Sequence, residues 1–431
     1  MSERRTKLRV PAFAAIAAGA LGVLAAWPAY LGARAPAADP LALVTPAPVK
    51  PDWRVRDAQI AFLEARAGKV RGDMLTPRML SAEYLQRYRE RGDLGDVLRA
   101  EHAARRSLAA LPRGNVAGEA ALASALLTRH RFREAKARIA GARRWRPDDP
   151  GLAAEEAALD LEIGDVAAAR RMITAHRGEV AFDVVAARLA EETGRLSEAR
   201  ALVERAMRRA DAIYDTPAER RAWLHARAAE LAFEANDLAA ARAAANGALA
   251  IFGNDLRALT VLARVELAAG GTAEAEDAAA RAVAIQPNPE VLGLLADAQA
   301  ARGEAAAAAA TRDEIFAVAR LGDALHVNDR LIAVWEADHG VRLEEAYAIA
   351  RRELAVRDDL YAEDTLAWAA ARTGRWDVAR TAIAKALRSG SRDPAILRHA
   401  AAIAAHAGSQ TRGVARPAAN ASPCAGEFST R

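Results

Sequence analysis

Residues 364–394 read DTLAWAAARTGRWDVARTAIAKALRSGSRDP. With Gly374 as origin, Leu366 stands eight residues before it and the small Ala367 seven before. Trp376 follows at two, Ala379 at five, Ile383 at nine and Ala386 at twelve. Glycine adopts φ > 0 without penalty and can end a helix tightly. Ala367, Ala379 and Ala386 are small enough for two antiparallel helices to approach closely, and Leu366, Trp376 and Ile383 fill the space between them. The stretch predicts a helix–turn–helix hairpin.

The same frame recurs. Around His130 it reads Leu122, Ala123, Phe132, Ala135, Ile139, Ala142 and then Pro147. Around Gly164 it reads Ala157, Val166, Ala169 and Ile173, with His176 in place of the last alanine. Around Gly194 it reads Ala187, Leu196, Ala199, Val203, Ala206, and around Asn236 Ala229, Leu238, Ala241, Ala248. Around Gly270 it reads Leu262, Ala263, Ala275, Ala279, Ala282 and Pro287. Gly303 keeps Leu295, Ala296 and Ala308 and then departs from the pattern at Ile315. Gly340 leads into Leu343, Ala346 and Ala350 with one extra residue, and Gly92 to Ala100 and Pro112 with about three extra. The origins lie mostly 33–35 residues apart, with shorter spacing before Gly194 and longer after it. A repeat of about 34 residues spelled this way resembles the tetratricopeptide (TPR) repeat. The resemblance covers roughly residues 78–408. It implies an all-α, right-handed α-solenoid of about nine hairpins.

Composition agrees. Hydrophobic residues make up 52% of the 431 but aromatics only 5%, a balance that suits close-stacked helices better than one large core. The formal charge is +5, and lysine occurs only at positions 7, 50, 69, 136 and 385, so arginine carries nearly all the positive charge. Acids are mixed in throughout, and no basic run is interleaved with aromatics. Nucleic acid is therefore not the expected partner.

The ends differ from the array. Residues 1–9, MSERRTKLR, are short and basic, and residues 10–32 carry no charge. Together, residues 1–32 predict an N-terminal hydrophobic helix, either a transmembrane anchor or a signal peptide cleaved before Ala38. Either puts the rest of the chain outside the cytoplasm, facing the periplasm or extracellular side. Residues 33–52 contain Pro36, Pro40, Pro46, Pro48 and Pro51 and read as an extended linker. Residues 53–69 read as a first helix whose Val55, Ile60, Phe62 and Leu63 face the next repeat, and residues 53–408 as the solenoid. Residues 394–408 read as a terminal helix, and residues 409–431 as a disordered tail. Two segments are candidate joints: the long helix with the DTPAER turn at 215–220, and residues 305–325 with their six consecutive alanines.

Chemistry is sparse. The single cysteine, Cys424, lies in the tail. The eight histidines show no metal-ligand spacing, and there is no HExxH, phosphate-binding loop, GxGxxG or GxSxG. The sequence predicts no catalytic centre, metal or cofactor; an enzyme would have its site in the irregular 305–340 stretch. The resemblance implies that the first helix of each hairpin lines a concave groove that takes a protein or peptide partner. Six residues before each turn stand Gln86, Ser124, Ala158, Arg188, Glu230, Arg264 and Trp368, with Glu192 and Glu234 nearby. The expected function is an envelope-tethered protein-interaction scaffold, or an assembly factor or regulatory subunit of an envelope complex.

Overall fold

The computed structural model describes residues 53–213, 216–323 and 329–413. The expected anchor or signal, the linker and Cys424 lie outside them. Helix α1 (Trp53–Arg66) precedes nine helix pairs. These are α2 (Leu75–Arg91) with α3 (Leu94–Ala110), α4 (Val116–Thr128) with α5 (Phe132–Arg143), and α6 (Pro150–Glu162) with α7 (Val166–Ala175). Next come α8 (Asp183–Glu192) with α9 (Leu196–Ala212), α10 (Ala218–Glu234) with α11 (Leu238–Ile251), and α12 (Leu256–Ala269) with α13 (Thr272–Ile285). The last are α14 (Pro289–Ala301) with α15 (Ala305–Asp323), α16 (Asp329–His339) with α17 (Leu343–Val356), and α18 (Leu360–Arg372) with α19 (Trp376–Ala386). Helix α20 (Pro394–Gly413) follows. The described residues contain no strand.

The helix starts are written in the sequence. The side chains of Asp93, Asn115, Asp149, Asp165, Asp237, Asp255, Asn288 and Asp359 each accept a bond from an amide in the first turn they precede. The hairpin turns follow the repeat frame. All nine origins, from Gly92 to Gly374, have positive φ, between 57° at His130 and 85° at Gly164. In the last eight, the next amide donates to the carbonyl five residues back, as Arg131 does to Leu126 at 2.9 Å and Arg375 to Ala370 at 2.8 Å.

The packing alanines are where helices meet. Ala135, Ala169, Ala199, Ala241, Ala275 and Ala379 are fully buried. His176, in an alanine's place, stacks on Phe182 with ring centroids 4.6 Å apart. Leucine at Ala275 would insert side-chain volume into this contact, and overpacking costs about 1–3 kcal/mol. Ala275→Leu should therefore lower the melting temperature of the central hairpins, and wild-type melting would refute the frame.

Three details differ from expectation. The hairpin at Gly92 needs no extra residues, because Val97, 2% exposed, takes the alanine position. The frame does not lapse at Ile315, which is fully buried where an alanine stands elsewhere. In the first helix Ile60 and Leu63 are buried but Val55 and Phe62 are each 63% exposed, so only half of the expected face packs. The extra residue after Gly340 is accommodated by a second left-handed residue, Arg342, at φ 44°. At the far end α20 buries Ile396, His399 and Ile403 against the last hairpin.

The array winds until its turns touch. The turn at Gly92 meets Ile285 and Gln286, the turn at Gly164 meets Asp358 and Asp359, and the turn at Gly194 meets Gly390 and Arg392. Each of these turns thus packs on the loop that ends the hairpin five further on. The Asp358 amide donates to the Ile163 carbonyl at 3.4 Å, and the Gln86 side-chain amide donates to Glu219, 133 residues away, at 3.0 Å. The concave side is a lumen with a seam.

Candidate functional site

The structure places the expected side chains six residues before each turn as follows. Ser124 and Ala158 are buried. Gln86 is buried and tied to Glu90 and Glu219. Trp368 stacks on His399 with centroids 4.4 Å apart and donates its indole N–H to Asp338 at 2.8 Å.

Between these ends lies a charged ladder. Arg188 donates to Glu192 at 2.7 Å and pairs with Glu162 on the preceding hairpin. Arg227 bridges Glu191 and Glu230, Arg257 reaches Glu230 at 2.8 Å, and Arg264 pairs with Glu290. Arg357 comes across the seam to Glu162 at 3.4 Å, pairs with Asp359 and lies over the Phe132 ring. The side chains of Arg188, Glu192, Arg227 and Glu230 are largely buried. Burial therefore acts on their protonation. It pushes Glu192 up to about 6 even with Arg188 beside it. Burial, then the neighbouring Glu191 carboxylate, raises Glu234 far above the usual carboxylate range. Against the upward push of burial, Arg257 and Arg227 hold Glu230 below its ordinary value.

The expected groove residues Arg188, Glu192, Glu230, Glu234 and Arg264 are thus brought together; Arg188, Glu192, Glu230 and Arg264 are ion-paired, and Arg264 is half exposed. Arg188 is therefore not a side chain whose removal leaves stability alone. Arg188→Ala leaves Glu162 and Glu192 without their shared cation, and an unpartnered buried acceptor costs roughly 2 kcal/mol. The variant should melt below wild type at pH 8, with part of the loss recovered near pH 5 as Glu192 protonates.

Two cavities open off the lumen. One, of about 380 Å³, includes Arg188, Arg227, Arg257, Arg330, Arg357 and Tyr361 in its lining. Its neighbour, of about 430 Å³, shares Val184, Trp223 and Arg257 with it and adds Arg220 and Glu219. Sequence reasoning missed Arg227, Arg257, Arg330 and Arg357. Arg227 stands three residues before Glu230 on α10, a helical pairing that could have been noticed. Arg357 lies in the loop after α17, and nothing in its local sequence marks it. In the 305–340 stretch, His339 bonds Asp297 at 3.2 Å and stacks on Trp335. Among the described residues no three His, Cys, Asp or Glu side chains are placed to hold a metal ion, and no helix is long and apolar enough to cross a membrane.

No family model matches the sequence, and no curated protein does. Solved structures do. TTC0263, a TPR protein of Thermus thermophilus, is 22% identical, with 42% of this chain and 98% of that one covered at a TM-score of 0.34. PilW, described as a type IV pilus biogenesis factor, is 17% identical over 59% of this chain and 96% of its own, at 0.32. Human IFIT1, solved as a dimer with PPP-AAAA, is 16% identical over 78% of each chain, at 0.48. What decides the class is the recurring hairpin, with its nine left-handed turn residues and buried packing alanines. The chain is a TPR-like repeat protein. As in any such array, each TPR-like hairpin rests on its sequence neighbours; the seam adds contacts from hairpins five places away.

Proposed function

We propose that this TPR-like protein is a protein-interaction scaffold of the cell envelope that takes an extended segment of a partner protein along the inner face of its superhelix. The observation that carries the reading is the register. The central first helices carry Arg188, Glu230 and Arg264 at one fixed offset from the turn, which gives a linear charged surface matched to an extended chain. The alternation of arginine and glutamate favours a protein segment of mixed charge over nucleic acid. The uncharged residues 10–32 behind a basic start favour export with membrane tethering, and an assembly or regulatory role within an envelope complex fits the same surface.

Arg264 provides the test, because its side chain keeps 42% exposure and its contact ion pair among the described residues is with Glu290. Arg264→Ala should melt within about 0.5 kcal/mol of wild type. It should capture less partner from solubilised envelope, with the deficit largest at low salt, where exposed charges are least screened. Undiminished capture would move the binding surface away from the inner face. A reporter active only in the cytoplasm, fused after Arg431, should stay dark; a bright signal would remove the envelope from the proposal.

A further inference from the structure

We propose that the cavity of about 380 Å³ beside the seam binds a small phosphate-bearing molecule, held by arginines from both sides of the superhelical turn. Five guanidinium groups line it, those of Arg188, Arg227, Arg257, Arg330 and Arg357, against two carboxylates, Glu162 and Glu191. Both of those acids are already engaged, Glu162 by Arg188 and Arg357, and Glu191 by Arg227. The other acids that neutralise these arginines, among them Glu192, Glu230 and Asp359, do not line the cavity. The face turned to the cavity is therefore cationic.

Arg330 is the decisive group. Its guanidinium lies over the Tyr361 ring, 5.6 Å from the centroid, and the carboxylate that feels its charge, Glu353, does so without a contact ion pair among the described residues. A cation placed in a protein-walled space without an anion is costly unless an anion arrives. Arg220 lies in the adjoining cavity, where burial and then the Arg89 cation lower it to about 10 although the Glu219 carboxylate pulls the other way.

Phosphate fits better than a single carboxylate. Guanidinium forks engage both bidentately, but tetrahedral oxygens can meet forks converging from several hairpins at once. Trp223 and Tyr361 give flat surfaces for an organic portion. The volume of about 380 Å³ favours a small molecule over an extended acidic peptide.

The test uses the full chain, calorimetry and melting, with inorganic phosphate, pyrophosphate, AMP and citrate as probes at constant ionic strength. At least one phosphate probe should bind saturably and raise the melting temperature. Arg330→Ala should weaken that binding at least tenfold while melting like wild type without ligand, and Arg330→Lys should fall between. Three results would overturn the proposal: no phosphate probe exceeding the effect of chloride, undiminished binding by Arg330→Ala, or citrate binding more tightly than every phosphate probe. None of these depends on capture of a protein partner, so the scaffold reading stands or falls separately.

Discussion

Replacing Gly164 with alanine should open the superhelix, while the same change at Gly374 should not. Both glycines end the first helix of a hairpin in the left-handed region, at φ 85° and 75°. Alanine there costs about 1–2 kcal/mol in either place. The surroundings differ. A Cβ at Gly374 meets nothing within 4 Å, whereas one at Gly164 would sit 1.8 Å from the Asp358 carbonyl oxygen and 3.1 Å from the Asp359 amide nitrogen. Both neighbours are backbone, so the two turns must part. Parting them breaks the Asp358–Ile163 hydrogen bond and the Arg357–Glu162 ion pair. Adding an overpacking cost of about 1–3 kcal/mol to the strain gives a total of roughly 2–5 kcal/mol for Gly164→Ala. Small-angle scattering should show a larger radius of gyration for Gly164→Ala and an unchanged one for Gly374→Ala. If the two variants melt and scatter alike, the seam does not hold in solution.

The terminal helix should loosen as pH rises from about 6.5 to about 9. His399 on α20 is 3% exposed, flat against Trp368, with Nδ1 3.0 Å from both Asp364 carboxylate oxygens. Its Nε2 is 3.8 Å from Asp338 Oδ1, a distance for an ion pair rather than a hydrogen bond. Burial alone would strip the proton from the ring, yet Asp338 and Asp364 lift it to about 9. A folded value above the unfolded 6.5 stabilises the folded state below the unfolded value, and that contribution is lost as pH climbs through the folded one. The interval corresponds to roughly 3 kcal/mol. On the acid side Asp338 works in the opposite sense. Although burial pushes it up, His399 and Trp368 hold it below its ordinary value, so its contribution is lost as pH falls through the carboxylate range. The protection of the α20 amides against hydrogen exchange, relative to the intrinsic base-catalysed rate, should be greatest between these limits and should fall towards pH 9.5. In His399→Gln the alkaline arm should vanish. If it persists unchanged, another group governs the helix.

Much of this architecture is local and was therefore readable. A left-handed turn residue, a capping Asp or Asn and an alanine at a helix contact each act on neighbours within one repeat. One repeat written nine times identifies itself even where His130 or Asn236 replaces glycine. Readings went astray where a larger apolar side chain filled an alanine's place, as Val97 and Ile315 do, because packing tests volume in context and not spelling. The inward register was likewise readable, since residues 188, 230 and 264 stand at one offset from their turns.

Enclosure was not. Whether Arg188 faces open water or a lumen depends on the pitch of the whole superhelix. That pitch is the sum of small rotations between neighbouring hairpins, each set by how particular side chains interlock. A change of a few degrees per hairpin would carry Asp358 away from Gly164 and leave the inner charges open to solvent. By itself the sequence determined the helices, their turns and their pairing. Only the tertiary structure decided that hairpins five apart would meet, bringing Arg330 and Arg357 to the same space as Arg188, because that contact depends on accumulated geometry that no single repeat encodes.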